Sequence, residues 1–158
     1  MVIVREDFLE RVKGAQRIDF GEGESLFILQ EVAQPLTDSL SPLIAPGESI
    51  YYGLATEKTT LRSAPNREGL VGEAEWWLVL SRAVLHLTMD ATGRSGILRT
   101  DCRRYPLKKL SLVKLAAEIP QRSTISLEFE TGAIELPAVA SAVARAFASA
   151  LVQRQCQA

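Results

Sequence analysis

The side chains with chemistry to offer in this chain are one histidine, two cysteines, a few paired acids and a run of bases. His86 is the only histidine and lies in the β-prone run Val84-Leu-His-Leu-Thr-Met89, where it faces solvent or is satisfied locally. No Gly-x-Ser-x-Gly accompanies it, so no Ser/His/Asp order can be built around a local signature. Cys102 and His86 form a nucleophile–base pair only if their strands are neighbours. Cys102 and Cys156 are far apart without a CxxC and read as reduced thiols. With one histidine the ligands for a zinc site run short, so neither metal nor cofactor is expected. Gly21-Glu-Gly23-Glu24 has two glycines of a phosphate loop but no third and no preceding strand, and its acids repel phosphate. Glu128 and Glu130 share one face of an alternating strand, which is ordinarily its wet side. Together these argue against an enzyme.

The bases are more suggestive. Arg99, Arg103, Arg104, Lys108, Lys109, Lys114 and Arg122 stand against Asp101 and Glu118, so residues 96–122 carry a net charge of +5. Arg99, Arg103, Arg104, Lys108 and Lys109 are the candidate surface for an anion or an acidic partner. The plainer alternative is a solvated strand face balanced by the N-terminal half. Residues 1–75 hold seven Lys/Arg against 13 Asp/Glu, a net of −6, and residues 76–158 hold a net of +5. The halves can attract each other within one molecule or between molecules. The whole chain is at −1 and carries no docking motif for nucleic acid, which is not expected as a partner.

Two aromatic pairs, Tyr51-Tyr52 and Trp76-Trp77, sit in β-prone runs. Adjacent strand residues point to opposite faces, so one of each pair leaves the core. An outward Trp must be covered by the chain's own N-terminal helices or by a partner, which makes Tyr51, Tyr52, Trp76 and Trp77 candidate protein contacts.

The elements that position these residues fall into three regions of a 158-residue chain, a usual size for one domain. Residues 1–45 read as a helical extension. Asp7 caps a short helix, and Leu26, Leu29, Val32, Ala33 and Leu36 recur at helical spacing until Pro35 breaks or kinks it. Residues 46–158 form the main domain. Short strands are expected at 48–56, 75–80, 84–89, 97–100, 104–107, 110–115, 124–130 and 133–136, with loops at 57–74 and 90–96. Pro137 opens a C-terminal helix whose stripe is Val139, Val143, Ala146, Phe147, Ala150 and Leu151. The N-terminal run is too short for a signal peptide and the Ala138–Val152 stretch too weak for a membrane span, so a cytoplasmic protein is expected.

Three segments carry a family resemblance: Trp77-Leu-Val-Leu-Ser-Arg-Ala-Val-Leu-His-Leu87, Tyr105-Pro-Leu-Lys-Lys-Leu-Ser-Leu-Val-Lys-Leu115, and Thr124 to Leu136 leading into the helix. In strand order they resemble the bacterial pleckstrin-homology-like (PH-like) domains. The resemblance implies an α+β fold: a curved antiparallel sheet or small barrel of about seven strands closed by a C-terminal helix. It also implies binding rather than catalysis. Lipid-binding members of that family carry a dense basic cluster between their first two strands. Here residues 57–74 hold Lys58, Arg62 and Arg67 against Glu57, Glu68 and Glu73, which is no phosphate trap. The expected function is a non-catalytic interaction module that binds protein and itself as a homo-oligomer. The alternatives are a module for anionic membrane surfaces and a small-ligand-binding barrel or enzyme.

Overall fold

A computed structural model describes residues 2–21, 24–63, 69–91 and 98–157. The middle of the Gly21–Glu24 motif, Arg67 and Glu68 of the 57–74 loop, and most of the expected 90–96 loop lie outside them.

The N-terminal segment contains β1 (Ile3–Val4), α1 (Arg5–Lys13), β2 (Ile18–Gly21), β3 (Glu24–Leu26) and α2 (Ala33–Leu40). The expected helix over Leu26–Leu36 is therefore corrected. Its first turn is a β-hairpin with β2, residues 27–29 are extended, and a short 3-10 turn at Gln30–Val32 leads into α2. Hairpin geometry and an extended connection bury Leu26, Val32 and Leu36 without a helical register. Pro35 is in the first turn of α2, where its missing N–H costs nothing, so it neither breaks nor kinks a helix.

The first main sheet is built from β1, β4 (Ser49–Ala55), β7 (Glu73–Leu80), β8 (Ala83–Asp90) and β9 (Arg99–Pro106), in that order and antiparallel. Two short strands, β5 (Arg62–Ser63) and β6 (Leu70–Val71), pair with each other between β4 and β7. The second sheet is the meander β10 (Leu110–Ile119), β11 (Arg122–Phe129) and β12 (Gly132–Ala140), followed by α3 (Ser141–Gln155). The architecture is α+β with antiparallel sheets and a C-terminal helix, and the two sheets do not close into a barrel.

Pro137 lies inside β12 at a register shift, not at the start of α3, which begins four residues later. A proline is tolerated at a bulge on an edge strand because no ladder bond is lost there.

Both faces of the first sheet are covered, so β7 is buried from Ala74 to Leu80. One face carries Ala74, Trp76 and Leu78 beside Leu85, Leu87 and Met89. The N-terminal segment packs on it. Phe27, Leu29 and Val32 line a small cavity with Trp76 and Met89, Phe20 lies against Gly53, and Ser39 bonds Thr100 at 2.7 Å. The other face carries Glu75, Trp77 and Val79 beside Val84, His86 and Thr88. There Tyr105 meets Phe129 of β11 at a 5.3 Å centroid distance, and Tyr52 meets Phe147 of α3 at 6.4 Å. α3 touches β4 and β7 as well as all three strands of the second sheet. A single hydrophobic cluster runs from Ile3 to Leu151 through all these layers.

Candidate functional site

Cross-strand register sorts the sequence candidates by face. Trp76 and Trp77 do take opposite faces, but both are buried, at 2% and 1% exposure. Tyr52 is buried, and Tyr51 is half-covered by Arg154, whose guanidinium lies 4.1 Å from the ring centre. Tyr52, Trp76 and Trp77 are thus covered within the chain, by its own N-terminal layer on one side of the sheet and by α3 with the second sheet on the other, while Tyr51 stays partly exposed.

Trp77 belongs to a polar cluster on the inner face. Its ring stacks on His86 at 4.0 Å and 10°. His86 Nε2 is 2.8 Å from Glu75 Oε2, and Thr56 Oγ1 donates to Glu75 Oε1 at 2.8 Å. The His86 bond, opposed by burial and helped by Thr56, holds the Glu75 carboxyl below its ordinary range. This Glu–His pair could orient an imidazole for proton transfer, and the described hydroxyls beside it, Thr56 and Thr59, bond to Glu75. β8 and β9 are neighbours, yet Cys102 lies opposite Leu87 and so faces the N-terminal layer, away from His86. Burial, reinforced by Asp101, pushes its thiol up to about 11. The Cys102–His86 pair is therefore ruled out by strand parity.

The bases do not form one patch. Arg104 lies opposite Leu85, on the N-terminal face. Its Nη1 and Nη2 reach both oxygens of Glu48 at 2.9 Å, and Nη1 also donates to Leu43 O at 2.8 Å. Burial alone would raise the Glu48 carboxyl, but the Arg104 fork and the Ala45 N–H outweigh it and leave it below its usual value. Arg104 is a tie between layers. Arg99 and Arg103 are exposed on the opposite face of β9, and Arg103 sits 3.7 Å from Asp101. Lys108 and Lys109 follow β9 in a 3-10 turn and are exposed. Lys108, Arg104, Pro106 and Gln157 instead share a cleft of about 410 Å³ with Arg82, from the β7–β8 turn. Sequence reading passed over Arg82 because nothing in a two-residue turn signals which distant bases it will meet.

The surface that sequence reading missed is the free edge of β10. Its partner residues in β11 are fully buried: Ile125 opposite Leu115, and Leu127 opposite Val113. Yet Leu115 is 42% exposed, and on the outer face Leu112, opposite Glu128, is 41% and Ile119, opposite Arg122, 57%. The apolar inner face of the second sheet therefore runs past the cover that the first sheet and α3 provide. The other edges are guarded. β1 has two residues, and β9 carries Arg99, Asp101, Arg103 and Arg104. The Glu24 carboxylate caps the Ala55 N–H of β4 at 3.0 Å. β12 carries Pro137 and a bulge. β10 has ten residues, of which only Lys114 and Glu118 are charged. Short length, charge, proline and bulges are how sheets avoid edge pairing; β10 has bulges at 110/112 and 117/119, and between them Leu112–Ala117 runs in regular register with Lys114 as its one charge.

No protein-family model and no curated protein matches the chain. No helix among the described residues is long and apolar enough to cross a membrane.

Proposed function

We propose that the chain is a non-catalytic, PH-like interaction module that takes up an extended protein segment by strand addition along β10. The observation that carries this reading is the free edge Leu112–Ala117 between two bulges, with Leu112 exposed on the outer face and Leu115 on the inner. An added strand satisfies the outward backbone groups of this stretch and flanks Leu112 on one face and Leu115 on the other, which supplies affinity from the ladder and selectivity from alternate side chains. The PH-like reading is supported by element order: β4, β7, β8 and β9 form a four-strand meander, β10–β12 a three-strand meander, and α3 follows between them. A non-catalytic role is supported by Cys102 facing away from the Glu75–His86 pair.

Panning a random peptide library against the whole chain tests the reading. Binders are expected to alternate apolar and polar residues, and to be lost to the variant Leu115→Lys. Binders that are retained by Leu115→Lys, or that lack alternation, would defeat it.

One observation favours a second reading. Arg82 and Lys108 flank the 410 Å³ cleft, and neither has an ion-pair partner among the described residues. That cleft suits a phosphate group, including the headgroup of an anionic lipid. Salt-sensitive binding to phosphatidylserine vesicles, weakened by Arg82→Gln, would support it over strand addition.

A further inference from the structure

We infer that the cleft between the β7–β8 turn and the end of α3 is a site for a phosphomonoester dianion, with Lys108 as the residue that sets it apart from a diester. The inference rests on the phosphate reading of that cleft and goes beyond it by naming the ester class.

Charge is the first ground. Arg82, Arg104, Pro106, Lys108 and Gln157 line the cleft, and none of these is acidic. Arg104 is already engaged. Its two Nη atoms hold both oxygens of Glu48 at 2.9 Å, and Nη1 also donates to Leu43 O. That pair is neutral as a unit. Arg82 and Lys108 are left as two positive charges without an ion-pair partner among the described residues. A phosphomonoester carries about −2 at neutral pH and matches both. A diester carries a single negative charge and leaves one cation uncompensated.

Oxygen count is the second ground. A guanidinium fork takes two phosphate oxygens, whereas an ammonium acts as a point charge on one. A monoester has three terminal oxygens, enough for the Arg82 fork and for Lys108. A diester has two, and the fork uses both.

The two bases are also placed in advance. Leu107 N donates to Arg82 O at 2.9 Å, and the Leu107 side chain is fully buried. The turn that carries Arg82 and the 3-10 turn that carries Lys108 are therefore locked to each other, which cuts the ordering cost of binding. The cleft, at about 410 Å³, falls in the range of small-ligand sites, roughly 300–1,000 Å³. It has room for the esterified alcohol, to which Pro106 offers an apolar wall and Gln157 an amide.

The test compares methyl phosphate with dimethyl phosphate by chemical-shift titration of the whole chain at about pH 7.5, where the monoester is a dianion. Methyl phosphate should bind about tenfold more tightly. Arg82→Gln should weaken both esters, and Lys108→Gln should weaken the monoester alone and so remove most of the preference. Both side chains are exposed, so both variants should keep the native melting temperature. Vesicles separate the two sources of a monoester. A preference for phosphatidic acid over phosphatidylglycerol vesicles that Lys108→Gln abolishes places the group on a lipid. Binding of methyl phosphate with no preference between the vesicles places it on a soluble molecule. Equal affinity for the two methyl esters, both weakened by Arg82→Gln, overturns the dianion and leaves the phosphate reading standing. A preference that survives Lys108→Gln overturns the role of Lys108. If Arg82→Gln changes the binding of no ester and no vesicle, the phosphate reading falls as well.

Discussion

Gly53→Ala should destabilise the protein, although the same change in open space would stabilise it. Gly53 lies in β4 without a positive φ, so alanine suffers no backbone strain there. Reduced freedom of the unfolded chain alone would then contribute about 0.4–1 kcal/mol in favour of the fold. Space decides otherwise. A methyl at this position would lie 2.8 Å from Cε2 of Phe20 and 2.9 Å from Cδ2 of Leu78. Carbon atoms pack at roughly 3.5–4.0 Å, so each neighbour has to give by about half an ångström or more. Both are buried, Phe20 at 4% and Leu78 at 0%, and overpacking of this kind costs about 1–3 kcal/mol. The net loss should be about 1–2 kcal/mol, read as a lower urea midpoint at unchanged slope and a melting temperature lower by roughly 2–8 °C. A partner substitution identifies the cause. Phe20→Leu alone should cost on the order of 1 kcal/mol, but in the Gly53→Ala background it makes room, so the double variant should be more stable than the sum of the singles by about 1 kcal/mol. If Gly53→Ala raises the melting temperature, or if the two changes add to within about 0.5 kcal/mol, the N-terminal hairpin does not seat on β4 as described.

Two further outcomes follow from the polar groups. The Glu75 carboxyl is held below its ordinary value of 4.5 chiefly by His86, so the native state binds fewer protons than the unfolded state between the two values. That stability is present above the ordinary value and drains as pH falls through the native one. Glu75→Gln should therefore flatten the loss of urea resistance between about pH 5 and pH 3, and an unaltered slope would remove Glu75 from the account. The Cys102 thiol, part-buried and raised to about 11, should resist an aromatic disulfide reagent at about pH 8, where exposed Cys156 reacts at once. One fast thiol in the native protein and two in denaturant is the expected titration, and two fast thiols in the native protein would contradict it.

The sequence showed strands where alternation or β-branching was strong. Thr124-Ile-Ser-Leu-Glu-Phe129 alternates, and β11 buries Ile125, Leu127 and Phe129. Trp76 and Trp77 were assigned to opposite faces by adjacency alone, and that is where they lie. What adjacency cannot reveal is how many layers cover a sheet, and the buried run Ala74–Leu80 is explained only once the N-terminal segment is seen on one side and α3 on the other. Leu26, Leu29, Val32 and Leu36 mimic a helical stripe because a hairpin, an extended link and a short helix happen to bury residues at similar intervals. The basic run was legible as charge but not as a site. Arg103 and Arg104 are neighbours in sequence and opposite in face, so one is solvated while the other is locked to Glu48. Exposed Leu115 on β10 was invisible for a similar reason: it looks like core until the cover over its face is found to end short of it.

The double cover of the first sheet also sets an order of events during synthesis. β7 needs the N-terminal segment on one face and α3 on the other, and α3 follows every strand of both sheets in the chain. Until Phe147 and Leu151 have emerged from the ribosome, the row Trp77 and Val79, with Tyr52 beside it, has no lid. A sticky, half-dressed sheet therefore precedes the finished packing. Truncations within α3 should accordingly fail as aggregates rather than as loosened monomers, since what they remove is the cover and not the strands.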